Sequence, residues 1–165
     1  MIEISYLING REYLLQENED IKTVSSETYN LRFNKKNGYS ARWGRTHEDD
    51  PDFSPIGPEI LDIEVVSGDC PNRCAWCYKQ NGSRPKEVMT LETFKRIIAK
   101  FPKVLTQVAF GITGVQSNPD FVPMMEHCRE IGVLPNFTLS GIDLTDELAD
   151  RIAKISGALA VSVYE

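Results

Sequence analysis

The stretch Ile60-Leu-Asp-Ile-Glu-Val-Val-Ser-Gly-Asp-Cys-Pro-Asn-Arg-Cys-Ala-Trp-Cys77 joins an apolar segment to a cysteine-rich one. Its first part, Ile60–Val66, is rich in β-branched and apolar residues, which predicts a buried strand that ends just before Cys70. Three cysteines then fall within eight residues on what we expect to be an irregular turn. The junction therefore sets three thiols at the end of a buried strand.

Downstream of this junction, strand patterns alternate with helix patterns. The predicted strands are Ile60–Val66, Val104–Phe110, Leu134–Leu139 and Ala158–Val163. Thr90 and Thr145 are predicted to cap the first and third helices, and Asn118-Pro119 to start the second. Alternation of this kind is typical of βαβ units and a parallel sheet. The fold class predicted for residues 59–165 is therefore α/β, a partial (β/α) barrel that contains its first four strands.

Residues 1–58 have a different pattern, which predicts a small antiparallel β-hairpin extension followed by a linker. Asn9-Gly10 separates two short strand patterns, as a two-residue hairpin turn would. The loop 34–38 similarly separates Thr28–Phe33 from Tyr39–Trp43. The segment that follows is rich in acids and prolines and reads as a linker up to residue 58. The predicted domain boundary lies between residues 58 and 59.

Composition narrows the class of protein. The chain has 165 residues, 41% of them hydrophobic, and a net charge of −6. The negative charge argues against a nucleic-acid surface and against an anionic membrane partner. The sequence contains no apolar run of membrane-spanning length and no signal-peptide pattern at its start. A cytoplasmic location is expected, where the four cysteines read as a metal site and one spare thiol.

The cysteine spacing is C-x3-C-x2-C, formed by Cys70, Cys74 and Cys77, with Trp76 just before the last thiol. Soft thiolate ligands select zinc, copper(I) or an iron–sulfur cluster. A structural zinc site needs four protein ligands, and no fourth one lies near this motif in the sequence. Three ligands leave one coordination position for a bound small molecule.

These residues resemble the signature of the radical S-adenosylmethionine (radical SAM) family, C-x3-C-x-aromatic-C, in the loop after the first barrel strand. In that family the three cysteines bind a [4Fe–4S] cluster, and SAM binds the remaining iron through its amino and carboxylate groups. The resemblance, over residues 60–165, implies an enzyme that cleaves SAM reductively to a 5′-deoxyadenosyl radical. The radical would abstract hydrogen from a substrate, a peptide or a small molecule, after an external donor supplies an electron.

The resemblance also implies where SAM would lie. The segment 110–121 takes the place of the family's Gly-Gly-Glu-Pro segment, where Gly111 and Gly114 allow close backbone approach. Gly114 stands where the family has Glu, and Gln116 is the nearest polar substitute. Three more residues are candidate cofactor contacts on the resemblance alone: Trp76 beside the adenine, Ser140 after the third strand, and Ser162 on the fourth strand near the ribose.

Other interpretations stay open at this point. The thiols could form a structural zinc site completed by His47, His127 or Cys128, although Cys128 reads as a packed thiol on an apolar helix stripe. The chain could also be an electron-transfer or structural metal module without SAM chemistry. A third possibility is an inactive fragment that needs a partner, since the predicted sheet stops at its fourth strand and leaves an edge.

Overall fold

The computed structural model describes residues 1–163. The chain divides into two compact units, residues 1–61 with 100–107, and residues 62–99 with the residues from 108 onward. The first unit contains a five-stranded antiparallel sheet in the order β1-β2-β3-β4-β5. Its strands are β1 (Ile2–Ile8), β2 (Arg11–Glu17), β3 (Ile21–Ser25), β4 (Asn30–Asn34) and β5 (Ser40–Trp43).

Both hairpins predicted from the sequence are present. Ile8 pairs with Arg11 across Asn9 and Gly10, whose φ angles of 52° and 76° suit a two-residue turn. Strands β4 and β5 form the second hairpin. Strand β3 was not predicted from the sequence. It pairs with β2 and β4 and so joins the two hairpins into one sheet. The segment predicted to be a small hairpin extension therefore forms a five-stranded sheet.

The buried face of this sheet carries an apolar core. Residues that alternate along the strands point to the same face, so every second side chain of β2, β3 and β4 is buried. The core consists of Tyr13, Leu15, Val24, Tyr29, Leu31 and Val104. In the register, Leu15 lies opposite Val24, and Val24 lies opposite Leu31. These cross-strand pairs fix the face that each strand buries.

Lys22 interrupts the apolar pattern of β3, which explains why the strand was missed. Its side chain is fully buried, its Nζ donates a hydrogen bond to the carbonyl oxygen of Leu105 at 2.6 Å, and it lies opposite Glu17 in the register. Glu17 is also buried and accepts a hydrogen bond from Lys35 at 2.9 Å. Burial disfavours the charged ammonium and lowers the pKa of Lys22 to about 8.

The second sheet is parallel and has four strands in the order β11-β10-β9-β6. Its elements alternate with helices, and a two-stranded antiparallel pair, β7 with β8, precedes the first helix. In chain order the elements are β6 (Ile60–Glu64), β7 (Val66–Ser67), β8 (Glu87–Val88), α1 (Leu91–Ile98), β9 (Gln107–Gly111), α2 (Phe121–Glu130), β10 (Leu134–Leu139), α3 (Asp146–Ile155) and β11 (Leu159–Val161).

The predicted partial (β/α) barrel is wrong. The largest sheet is the antiparallel one of the first unit, and residues 1–163 contain three α-helices and only a small parallel sheet. Strands β6 and β11 lie at the two ends of the parallel sheet, which is open over its four strands. Alternating strands and helices occur in open sheets as well as in barrels, so the sequence pattern alone did not distinguish them.

The predicted strand Ile60–Val66 is divided into two short strands. Val65 separates β6 from β7, and its N–H donates to the carbonyl oxygen of Gly111 on β9 at 2.9 Å. Its own carbonyl oxygen accepts from the N–H of Met89 at 3.0 Å. Strand β8 pairs with β7 and consists of the exposed residues Glu87 and Val88. It was not predicted, because these two residues show no strand pattern in the sequence. The break redirects the chain into the cysteine loop.

The helix starts were predicted with mixed success. Thr90 and Thr145 are N-caps, and their side chains accept hydrogen bonds from the N–H groups of Thr93 and Leu148. The N-cap of α2 is Asp120, without a side-chain cap, so the prediction that Asn118 caps this helix is wrong. None of the three helices in residues 1–163 is long and apolar enough to cross a membrane.

A row of aromatic rings forms the centre of the second unit. Phe110 of β9 lies 5.4 Å from Phe94 of α1 and 5.5 Å from Phe121 of α2, measured between ring centroids. Phe121 in turn lies 5.1 Å from Phe137 of β10. All four side chains are buried, and two of these three pairs are edge-to-face. The rings pack two helices against two strands and thereby fix the strand ends.

We expect Lys22 to make the unfolding free energy rise with pH. Its folded-state pKa of about 8 lies below the ordinary 10.5, so between these values the unfolded chain binds more protons. Stability contributed by Lys22 is therefore gained as pH rises through this window, at up to about 1.4 kcal/mol per pH unit. Denaturant titrations of the parent chain and of Lys22→Met should show a stability difference that grows in favour of the parent from pH 8 to 10.5.

The difference in unfolding free energy between parent and variant at each pH removes the contribution of the other titrating groups. Lys86→Met, which changes an exposed lysine, is the control for the loss of one positive charge. A difference for Lys22→Met that stays flat over this range would show that the buried ammonium is not destabilised by its surroundings.

Candidate functional site

The loop between β7 and β8 carries the three cysteines, and its backbone turns sharply several times. Gly68, Asp69, Arg73 and Gln80 all have positive φ angles, of 72°, 45°, 45° and 52°. A Cβ atom on Gly68 would lie 1.9 Å from the carbonyl oxygen of Pro85, so no other residue fits there without movement of the backbone. The loop thus turns tightly from the strand end, without regular secondary structure.

Asn81 holds the start of this loop in place. Its side-chain Oδ1 accepts a hydrogen bond from the N–H of Gly68 at 3.1 Å, and its carbonyl oxygen accepts from the N–H of Cys70 at 3.1 Å. Asn81 is buried, with 6% of its surface exposed. These two bonds satisfy backbone groups that would otherwise lack partners where the chain leaves the strand. They fix Cys70 relative to the far side of the loop.

All three loop cysteines are free thiols and half-buried. The N–H of Cys77 donates to the carbonyl oxygen of Cys74 at 3.1 Å, which closes a turn between these two residues. The Cys70 thiol donates to the carbonyl oxygen of Thr113, with 3.7 Å between sulfur and oxygen. Cys70 is therefore tied to the segment that follows β9, as well as to its own loop.

The three thiols line one cavity of about 270 Å³. Its walls come from the cysteine loop and from the segments at the ends of β9, β10 and β11. The lining residues are Cys70, Asn72, Cys74, Cys77, Tyr78, Lys79, Asn81, Ile112, Thr113, Gly114, Thr138, Leu139, Ser140 and Ser162. Consecutive parallel strands end on the same side of a sheet, so this is where an open α/β sheet binds ligands.

The candidate cofactor residues divide into two groups. Gly114, Ser140 and Ser162 line the cavity together with the cysteines, whereas Gly111, Gln116 and Trp76 are outside its lining. Gly111 lies within the sheet, where its carbonyl oxygen accepts from Val65. Trp76 is 70% exposed. The structure therefore brings three of the six predicted cofactor contacts next to the thiols.

Gln116 is engaged by a neighbouring loop. Its N–H donates to Oδ2 of Asp143 at 2.7 Å, and its side-chain amide donates to the carbonyl oxygen of the same residue. A Cβ atom on Gly114 would lie 2.5 Å from that Oδ2, so the carboxylate of Asp143 fills the space beside Gly114. Asp143 thereby ties the segment after β9 to the segment after β10.

The cysteines differ in acidity. Backbone N–H groups, that of Asn81 above all, stabilise the Cys77 thiolate and lower the pKa of Cys77 from its ordinary value, against the opposing effect of burial. Cys128 lies on α2, is fully buried as predicted, and has a pKa raised by burial to about 12. Only the thiolate binds metals well, so Cys77 is suited to ligation and Cys128 is not.

The donor set fits a thiolate-bound metal group, although the side chains are not arranged around one point. In the part of the chain that the structure describes, no three His, Cys, Asp or Glu side chains are grouped so that they could hold a metal ion. The cavity nevertheless presents three free thiols, one of them with a lowered pKa. These soft donors are the ligands of iron–sulfur clusters.

The histidines offer no fourth ligand. His47 is fully exposed and lies 3.2 Å from the carboxylate of Asp50. His127 is largely buried against Phe94, with its Nδ1 3.3 Å from the carboxylate of Glu130. Neither lines the cavity of the cysteines.

Three polar residues of the site were missed in the sequence. Asn81 and Thr113 are buried beside the cysteines, and Lys79 forms a 3.1 Å ion pair with Glu64 on β6. Lone Asn, Thr and Lys residues in loops carry no signal of their own. The positions of Asn81 and Lys79 just after the last cysteine were the only available indication that they support the motif.

Comparison of the chain with protein-family models, curated proteins and solved structures finds no match. The residues and their geometry therefore carry the functional argument.

Replacing Gly68 by Ala should destabilise the chain more than replacing Gly10 by Ala. Both glycines have similar positive φ angles, 72° and 76°, but a Cβ atom meets nothing within 4 Å at Gly10 and a backbone carbonyl at 1.9 Å at Gly68. We expect Gly10→Ala to cost about 1–2 kcal/mol, the cost of a left-handed L-residue. Gly68→Ala should cost more in denaturant titrations and should speed the reaction of the loop thiols with a disulfide reagent.

Equal costs for the two variants, with unchanged thiol reactivity, would mean that the contact with Pro85 does not fix the loop.

Proposed function

We propose that this chain is a radical SAM enzyme domain, in which Cys70, Cys74 and Cys77 hold a [4Fe–4S] cluster. The same cavity would then hold SAM. The observation that carries the proposal is that all three thiols line a single cavity with Gly114, Ser140 and Ser162. A cofactor bound to the thiols would therefore meet residues from the ends of several strands, which is where α/β sheets bind their ligands.

The chain's own residues would bind and orient the group. When bound, the cluster would supply the electron for reductive cleavage of SAM, and that chemistry would yield a radical able to abstract hydrogen from a substrate. The thiolates provide three ligands, and backbone N–H groups around Cys77 favour the required charged form of that thiol. Ser140 and Ser162 offer hydroxyl groups to the ribose or carboxylate of SAM. An external one-electron donor completes the reaction.

The number of ligands favours this function over a structural metal site. A structural zinc is held by four protein ligands, as a closed tetrahedron. The cavity of the cysteines contributes three thiols, and no histidine or further cysteine is among its lining residues. An incomplete protein ligand set is what a cluster with an exchangeable, substrate-binding iron requires.

The cluster itself is the first test. Anaerobic reconstitution with iron and sulfide should give a brown protein with about four irons per chain, measured by iron and acid-labile sulfide analysis. Cys70→Ala, Cys74→Ala and Cys77→Ala should each abolish the cluster, because each removes one of its ligands. Cys128→Ala is the matched control, since this thiol is buried on α2 away from the cavity.

A protein that holds stoichiometric zinc in place of iron, or that loses its metal in Cys128→Ala, would contradict the cluster assignment.

SAM binding is the second test, on the reconstituted and reduced protein. Because the amino and carboxylate groups of SAM become iron ligands, saturating SAM should change the electron paramagnetic resonance spectrum of the cluster. S-adenosylhomocysteine, which carries the same amino and carboxylate groups but no sulfonium, separates binding from cleavage. A spectrum that stays the same at saturating SAM would favour an electron-transfer module without SAM chemistry.

A further inference from the structure

Thr113 has a buried hydroxyl group that the fold does not use. The residue follows β9 and is only 7% exposed. Within residues 1–163, its Oγ1 is buried and has no hydrogen-bond partner. A buried hydroxyl without a partner is destabilising, so such groups in folded proteins call for a specific explanation.

The location of Thr113 offers an explanation for its unpaired hydroxyl group. Thr113 lines the cavity of the cysteines. Its carbonyl oxygen accepts the hydrogen bond of the Cys70 thiol, at 3.7 Å from the sulfur, so the two residues are in direct contact. Among the polar neighbours of the thiols, Asn81 already uses its side-chain oxygen and its carbonyl group to hold the loop. The hydroxyl of Thr113 remains as a donor.

The state of the thiol decides what this donor can do. A protonated thiol donates its own hydrogen and accepts weakly. A metal-bound thiolate has no proton and is a good acceptor of hydrogen bonds, which are stronger when the acceptor is charged. The hydroxyl of Thr113 therefore gains a suitable acceptor only when the thiols carry their negative charge, as they do in a bound cluster.

We propose that Thr113 is a positioning residue that donates a hydrogen bond to a thiolate ligand of the bound cluster and thereby raises its reduction potential. The inference rests on the proposed [4Fe–4S] site. Reduction adds negative charge to the cluster and its sulfurs, so a hydrogen-bond donor stabilises the reduced form more than the oxidised form. Hydrogen bonds to sulfur are among the factors that set the potentials of iron–sulfur proteins.

The test is a potentiometric titration of the reconstituted protein, followed by electron paramagnetic resonance. Thr113→Val removes the hydroxyl and keeps the shape of the side chain. We expect the reduction equilibrium to become less favourable by roughly tenfold, the effect of one charge-assisted hydrogen bond, which is about 59 mV for one electron. Thr113→Ser keeps the hydroxyl and should retain the parent potential.

Thr106→Val is the matched control, because it removes a buried hydroxyl group from a residue outside the lining of the cavity. It should leave the potential unchanged. A purely structural role for Thr113 would alter the unfolding midpoint without moving the potential, so thermal unfolding of each variant is measured alongside.

The outcomes separate this inference from the proposed function. If the parent and Thr113→Val proteins assemble equal amounts of cluster with the same potential, Thr113 does not act on the cluster and only this inference falls. If the parent protein assembles no cluster, the proposed function falls and this inference with it. A shift in Thr113→Val that Thr113→Ser restores would support both.

Discussion

One buried amide, that of Asn118, holds together the elements around the candidate site. Its Nδ2 donates to the carbonyl oxygens of Val65 at 2.9 Å and of Met89 at 3.0 Å, and its Oδ1 accepts from the N–H of Asp120 at 2.8 Å. The carboxylate of Asp120 then accepts from the N–H of Leu91 at 2.8 Å. The break after β6, the end of β8 and the starts of α1 and α2 therefore depend on one side chain that is 2% exposed. Loss of this amide would remove the partners of the Met89 carbonyl oxygen and of the Asp120 N–H, and unpaired backbone groups are the costly case in hydrogen-bond energetics.

The contrast between Asn118 and Thr90 shows what a sequence reveals about the fold. A cap such as Thr90 acts on its own helix within three residues, so local chemistry was enough to predict it. Asn118 looked like a cap by the same rule, and its oxygen does accept from Asp120 two residues on, but its amide group donates to partners 53 and 29 residues away, and such long-range bonds leave no local pattern. Similarly, the hairpin turn at Asn9-Gly10 was predictable from two residues. Strand β3 was not, because Lys22 replaces an apolar residue on its buried face and is stabilised by a partner 83 residues away.

The candidate metal ligands of the site could be predicted from the sequence, but the residues that lie beside them could not. The spacing of the cysteines indicates a shared metal group because thiols so close in sequence cannot lie far apart in space. Which other residues lie beside them depends on how far each strand extends and where each loop turns. Gly114 and Ser140 line the cavity, whereas Gln116, two residues beyond Gly114, is bound to a neighbouring loop. The barrel prediction failed for a related reason, because alternating strands and helices form open sheets as well as barrels, and no single βαβ unit encodes which of the two the chain builds.

The thiol pKa is lowered at Cys77 and raised at Cys128. This difference explains how one protein has one thiol that can bind a metal and another that cannot. Cys128 is surrounded by apolar groups in the core of the second unit, where a thiolate would lose its hydration without compensation, so its pKa rises to about 12. Cys77 is half-buried in a loop without regular structure, and backbone N–H groups, that of Asn81 above all, stabilise its thiolate. The irregularity of the loop is therefore a source of hydrogen-bond donors. A regular element in its place would bury the same thiol without stabilising its charge, and would remove the property that makes it a metal ligand.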